Sequence, residues 1–156
     1  MRFKYSFQVP EEEKQKYAKA YIWNAPISRK HAVEICRAVR GMRLLEAIQY
    51  LEDVVKMKRP VPFARYNRGV PHRHELAGPV KSGRYPVKAA SYILRLLKDV
   101  LANAKYKGLD EQKLRIVHIA AHKGTSFYKY RLKHVYIRPM RKKLAHVEVV
   151  VKEEGQ

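Results

Sequence analysis

Residues 122–146 read HKGTSFYKYRLKHVYIRPMRKKLAH: eight Lys and Arg, no Asp or Glu, and four aromatic rings (Phe127, Tyr128, Tyr130, Tyr136) threaded between the charges. Cations with no acid to pair with suit the neutralisation of a polyanion. Rings set between them suit stacking on bases or packing against sugar. Lys123, Lys129, Arg131, Lys133, Arg138, Arg141, Lys142 and Lys143 are therefore candidate phosphate contacts, with His134 beside them, and Tyr128, Tyr130 and Tyr136 are candidate stacking surfaces. A second segment, 58–85, offers Arg59, Arg65, Arg68, Arg73, Arg84 and His72 for the same chemistry.

The charge balance supports this reading. The 156-residue chain carries a net charge of +20. Residues 54–88 hold nine Lys and Arg against one acid, Glu75, and residues 112–147 hold ten against none. The rest of the chain holds fifteen basic and thirteen acidic groups and is almost neutral. Self-repulsion of that size is tolerable when a polyanion neutralises it in use. Three other readings of the 122–146 run compete: a solvated tail, a membrane-surface segment, or a ribbon whose rings form a small core of their own. Strict alternation of Tyr128, Tyr130, Leu132 and His134 with Lys129, Arg131 and Lys133 speaks for a strand and against a tail. The basic and aromatic residues are not separated onto two faces of a helix, as a membrane-surface segment requires.

Other chemistry finds little support. Ser28, Ser82, Ser91 and Ser126 sit in no nucleophile-elbow context, and no Gly-rich phosphate loop occurs. Glu52, Asp53 and Asp99 fall on helical faces as surface charge, and His72 with His74 lacks a third metal ligand. Cys36 is the single cysteine, on an apolar helical face, and reads as core rather than as zinc or disulfide chemistry. No catalytic residue, metal site or cofactor is expected. The N-terminus lacks the apolar stretch of a secretory signal, and no apolar run approaches the ~20 residues of a membrane span. Zinc-finger spacing, a basic region feeding heptads and an obvious recognition helix are all absent, so folded RNA is a better candidate partner than DNA. An RNA-processing enzyme using the basic segment as a guide, and a DNA-compacting protein inserting it into a minor groove, are the alternatives.

The elements that must position these residues follow from periodicity. Residues 17–23 alternate Ala18, Ala20 and Ile22 against Tyr17, Lys19, Tyr21 and Trp23 and read as a strand. Ser28 stands where a helix N-cap belongs, ahead of a stripe of Ala32, Val33, Cys36 and Val39 that Gly41 ends. A second helix over about 43–57 presents Leu44, Ala47, Ile48, Leu51, Val54 and Val55. A third begins near Pro86 and presents Val87, Ala90, Ile93, Leu94, Leu97, Leu101 and Ala104 as far as Lys107. Between them, 58–85 has four prolines and three glycines in 59–85 and no periodicity, and is expected to be disordered or ordered by a partner. Residues 113–121 and 145–151 read as strands, the latter with Ala145, Val147, Val149 and Val151 inward and His146, Glu148 and Lys152 outward. They are expected to continue outward as one long hairpin, with Pro139 on an edge and ~35 Å of projection at ~3.3 Å per residue. The expected fold is α+β: three helices packed on a small antiparallel sheet, with a protruding two-stranded β-hairpin arm. One domain is expected, its body formed by about 15–57, 86–121 and 145–152, with the basic loop at 58–85 and the arm at 122–144.

Several stretches together resemble a known family. ISRKHAVEICRAVRGM, VPFARYNRGV, SGRYPVKAASYILRLLKDVLANAKYKGLD and the closing VEVVV are similar to the ribosomal protein twenty-two family of the large subunit, in its archaeal and eukaryotic branch (number seventeen in the eukaryotic scheme). The resemblance covers about residues 15–152. It implies a structural, non-enzymatic constituent of the cytoplasmic ribosome that binds large-subunit rRNA, supports subunit assembly and neighbours other ribosomal proteins. It also implies an arm reaching the wall of the polypeptide exit tunnel, its tip near Lys133–Arg138 and close to nascent polypeptide, with neither DNA nor membrane as partner. The 58–85 loop would be an rRNA-binding extension of the archaeal and eukaryotic type. The middle of the arm reads LKHVYIRP, with no Asn-Gly or Asp-Gly turn and without the glycine that bacterial members place among the arginines at the tip.

Overall fold

A computed structural model of the chain describes residues 5–76, 78–133 and 136–154. Its main sheet has three antiparallel strands in the order β1 (Tyr17–Ala25), β5 (Tyr136–Glu153), β4 (Leu114–Lys133). Three helices, α1 (Arg29–Val39), α2 (Leu44–Val55) and α3 (Val87–Tyr106), cover one face of it. α3 lies along β1, α1 lies over β4, and α2 packs against α3. Two short strands, β2 (Val61–Pro62) and β3 (Gly83–Arg84), pair separately inside the loop between α2 and α3.

The core forms where the period-two faces of the strands meet the helical stripes. Ala18, Ala20, Ile116, Ile119, Ala145, Val147, Val149 and Val151 are buried against Ile35, Val39, Leu51, Ile93 and Leu97. Each large side chain removed from water contributes about 1.5–3 kcal/mol before chain entropy is counted. The stripes sit slightly rotated from their sequence reading. Val33, Ile48, Val55, Val87, Leu94 and Leu101 are only half-buried, while Ile35, Tyr50, Leu96 and Val100 are fully covered. The buried face of each helix is thus wider than the stripe read from the sequence, because each helix packs against more than one partner.

Ser28 does occupy the N-cap of α1, but its hydroxyl makes no capping bond. Gly41 follows the helix with φ +78°, the left-handed region in which glycine is unstrained. That turn also protects the sheet. The Gly41 amide donates to the Ile116 carbonyl (3.0 Å) and the Ile116 amide to the Met42 carbonyl (3.0 Å), so the exposed edge of β4 is occupied at its start.

Two expectations about the body are corrected. The loop at 58–85 does not need an outside partner for its shape. Val61 and Phe63 are buried, and β2 pairs with β3. The second correction concerns the outer face of β5. Glu148 points away from the helices as its alternation requires, yet it is buried, because the N-terminal segment crosses that face. Ser6 donates its backbone amide and its hydroxyl to the Glu148 carboxylate, and Phe7 stacks on His118 at 5.5 Å between centroids. His118 and His122 approach the same carboxylate through Nε2, at 2.9 and 3.1 Å. Residues 5–16 carry no periodic signal, which is why the strap was not read from sequence.

Candidate nucleic-acid interface

β4 and β5 leave the body as a continuous ladder, in register from Ser126 opposite Lys143 to Lys133 opposite Tyr136. The expected hairpin therefore exists, and its last described pair is Lys133 with Tyr136. His134 lies outside the described residues, as do the side chains of Arg131, Lys133, Tyr136 and Arg138, whose backbones belong to the paired strands. The register opposes Arg131 to Arg138, so the arm brings like charges together along its own length.

Nearer the body the side chains are described. Tyr128 (60% exposed) and Tyr130 (69% exposed) share one face, with Arg141 opposite Tyr128 and Pro139 opposite Tyr130. Phe127 and Lys129 share the other, opposite Lys142 and Met140. The Arg141 guanidinium donates to the Ser126 hydroxyl at 3.0 and 3.2 Å, which fixes its base while leaving it exposed. Lys123, Lys129, Lys142 and Lys143 are exposed. Among the described residues, the arm thus presents rings and cations outward on both faces.

The root of the arm is held by a feature sequence reasoning missed. Near the end of β1, Asn24 has φ +50°, where the β1–β5 register shifts. Its backbone amide donates to His146 Nδ1 (3.0 Å), and its side-chain oxygen accepts the Thr125 amide (3.1 Å). Trp23 stacks on His146 at 4.0 Å. Gly124 sits under this clasp. A Cβ there would lie 2.9 Å from Asn24 Oδ1 and 2.9 Å from the Leu144 carbonyl carbon, so no other residue fits without backbone movement. The β4–β5 register shifts between Lys123 and Ser126, and this bulge marks the boundary between sheet and arm. Burial and the neighbouring His122 hold the His146 imidazole below its usual pKa, which suits a ring nitrogen acting as acceptor.

The loop is built differently. Glu34, on α1 and 1% exposed, accepts the backbone amides of Ala64 (3.1 Å), Arg65 (2.9 Å) and Tyr66 (2.6 Å). A buried carboxylate is costly unless its lone pairs are filled, and here three amides fill them. The turn that carries Arg65 and Arg68 is thereby fixed to the body. Arg84 donates to the Gly69 carbonyl at 2.7 Å. Arg73 is half-buried with its guanidinium 5.3 Å from the Tyr85 ring centroid, and Arg59 lies 5.0 Å from the Tyr50 ring. His72 is exposed and bridges to Ser82. Structure therefore gathers Arg65, Arg68 and Arg84 at one place, and sets Arg59 and Arg73 apart on aromatic supports. Cys36 is buried, and burial pushes its thiol up to about 12, consistent with a core residue.

Comparison with known proteins is decisive here. Residues 20–152 match the family model described as ribosomal protein L22p/L17e. The chain is 48% identical to a large ribosomal subunit protein uL22 of Ignicoccus hospitalis, over 96% of each chain. It is 46% identical to the protein of the same name in Methanocaldococcus jannaschii, over 97% of this chain and 96% of the relative. A further relative of that name, from Archaeoglobus fulgidus, is 51% identical over 83% of this chain. The chain belongs to the ribosomal protein L22p/L17e family. Membership makes it a structural, non-enzymatic ribosomal protein, and sets aside the reading of the arm as the substrate guide of an enzyme. Within this L22p/L17e chain, Glu34 positions the loop, Asn24 and Gly124 the root of the arm and Glu148 the N-terminal strap, and the sequence showed none of these contacts. A lone acid on a helix reads as surface charge until its burial is known.

Proposed function

We propose that the chain is a constituent of the large subunit of the cytoplasmic ribosome, and that its arm and loop bind large-subunit rRNA. The arm and the 58–85 loop neutralise phosphate where rRNA strands converge, and the arm tip contributes to the wall of the polypeptide exit tunnel, beside nascent chain and neighbouring ribosomal proteins. The observation that carries the reading is the pairing of charge with shape. A ladder opposing Arg131 to Arg138 and surrounded by exposed lysines is unfavourable alone, and RNA phosphate supplies the anions it lacks.

The contacts assigned to phosphate are Lys123, Lys129, Arg131, Lys133, Arg138, Arg141, Lys142 and Lys143 on the arm, with His134, and Arg59, Arg65, Arg68, His72, Arg73 and Arg84 on the loop. Tyr128, Tyr130 and Tyr136 are the assigned stacking surfaces.

Purified chain titrated at matched salt against a large-subunit rRNA domain and against duplex DNA of equal length tests the proposal. Preference for the RNA by tenfold or more is expected. Equal affinity for both would overturn it in favour of an architectural DNA-binding role. Photo-crosslinking from stalled nascent chains to residues 131–138 tests the tunnel assignment separately.

A further inference from the structure

We propose that two adjoining hollows at the starts of α1 and α3 form one groove that seats consecutive phosphodiesters of a single-stranded RNA segment. The proposal rests on the rRNA-binding reading above and adds a place on the body, distinct from the arm, where a strand is gripped.

The first hollow, of about 280 Å³, is bordered by Lys30, His31, Arg65, Tyr66, Arg68 and Arg84. The second, of about 410 Å³, lies between the first turns of α1 and α3 and is bordered by Tyr85 and Lys88. Ser28 and His31 line both, so the two hollows adjoin along these residues. Among the described residues lining either hollow there is no acid. Of the carboxylates close by, Glu34 from α1 accepts three loop amides, and Glu75 from the loop stands 3.5 Å from the hydroxyl of Tyr85, at the groove's border.

Convergence of cations with no acid would be repulsive unless an anion is meant to enter. Burial first and the Arg84 charge second hold the His31 imidazole below its ordinary value. The groove is also built rather than incidental. Glu34 fixes the turn carrying Arg65 and Tyr66, Arg84 is tied to Gly69, and His31 packs edge-on against buried Phe63 at 5.6 Å. Neither helix carries an acid in its first turn, so both positive dipole ends open on the same depression as the arginines.

The chemistry selects nucleic acid over an acidic peptide. Guanidinium forks match phosphate oxygens in pairs. Tyr66, with Lys30 Nζ at 5.5 Å and Arg65 at 5.6 Å from its ring, and Tyr85, under Arg73, give aromatic walls for a base or sugar. The volumes suit one nucleotide in each hollow and are too small for a duplex.

The test uses the intact chain and 5′-phosphorylated diuridylate, with His31 followed by NMR as the reporter inside the groove. His31 is expected to titrate below 6.5 alone, and to rise by about one unit when the dinucleotide is bound, since a nearby anion favours the imidazolium. Arg84→Gln should raise the free His31 value, by removing a cation, and weaken dinucleotide binding about tenfold. Because Arg84 also braces the loop, Arg68→Gln serves as a second variant whose fold is not in question, with a severalfold loss expected. An unmoved His31 in wild type, an undiminished response in Arg68→Gln, or an equal response to hexaglutamate at the same concentration would each overturn the groove. Binding of the rRNA domain is measured on the same samples. If it persists while the groove fails, the broader rRNA reading stands; if it is lost in wild type, both fall.

Discussion

The loop and the arm are alike in composition and opposite in construction. Each is strongly basic and nearly free of acids. The loop borrows its order from the body: Glu34 reaches out of α1 to hold three of its amides, and Val61 and Phe63 plug it into the core. The arm takes its order from its own ladder and from one clasp at Asn24 and Gly124. A basic segment does not have to wait for RNA to be shaped, provided the protein supplies a buried anion at one point. Where it supplies none, as along the arm, the charge is left for the partner to neutralise.

Removing the loop's anchor should produce the largest effect. Glu34→Ala frees three amides and leaves a buried void, and a loss of on the order of 3 kcal/mol is expected: each hydrogen bond to a charged group contributes roughly 1.5–3 kcal/mol, but the amides of exposed Ala64 and Arg65 regain water. Trypsin should then cut at Arg65, Arg68 or Arg73 much faster than in wild type, while the arm's exchange pattern is unchanged. Equal resistance of the loop in the variant would erase the contrast between the two segments. Gly124→Ala should come next, at about 1–3 kcal/mol, because the new Cβ meets backbone that must shift. Its signature is faster amide exchange at Thr125 and outward, with the loop unaffected.

Much of this architecture could be read in advance. Periodicity located all three helices and the hairpin, because strand alternation of Tyr128, Tyr130 and Leu132 against Lys129 and Arg131 does not depend on tertiary context. The motifs quoted from α1, the loop and α3 gave the family. What stayed hidden were single residues whose meaning comes from burial. Glu34 and Glu148 look like surface acids in the sequence and are buried in the structure. The same limit explains the exchange of Val33 for Ile35 and of Leu101 for Val100 at the core, since helix rotation is set by packing partners that the sequence does not display. The loop was read as partner-dependent because proline and glycine hide pairing as short as that of β2 with β3.

The arm's root should also respond to acid before the N-terminal strap does. His146 accepts a hydrogen bond through Nδ1 and its pKa is depressed, by burial first and His122 second. That contribution is present above the ordinary histidine value of 6.5 and is lost as pH falls below it. For Glu148, burial pushes the pKa up, but bonds from Ser6, His118 and His122 bring it to a net value below the ordinary 4.5. Its contribution is therefore lost only as pH falls below 4.5 and through the folded value. Amide exchange at Asn24 should thus rise at a higher pH than exchange at Ser6 under the N-terminal strap. Glu148→Gln should flatten the lower of the two steps and leave the upper one in place, the smallest effect foreseen here.

The central claim is that the arm's cations meet RNA phosphate and not the body. Binding of a large-subunit rRNA domain, measured across a salt series for the intact chain and for a chain lacking 127–138, tests it most directly. That deletion removes four cations, Lys129, Arg131, Lys133 and Arg138. At roughly 0.7 per phosphate the log–log salt slope should become shallower by up to about 3, with the body still cooperatively folded. An unchanged slope, or a body that unfolds without its arm, would contradict the account.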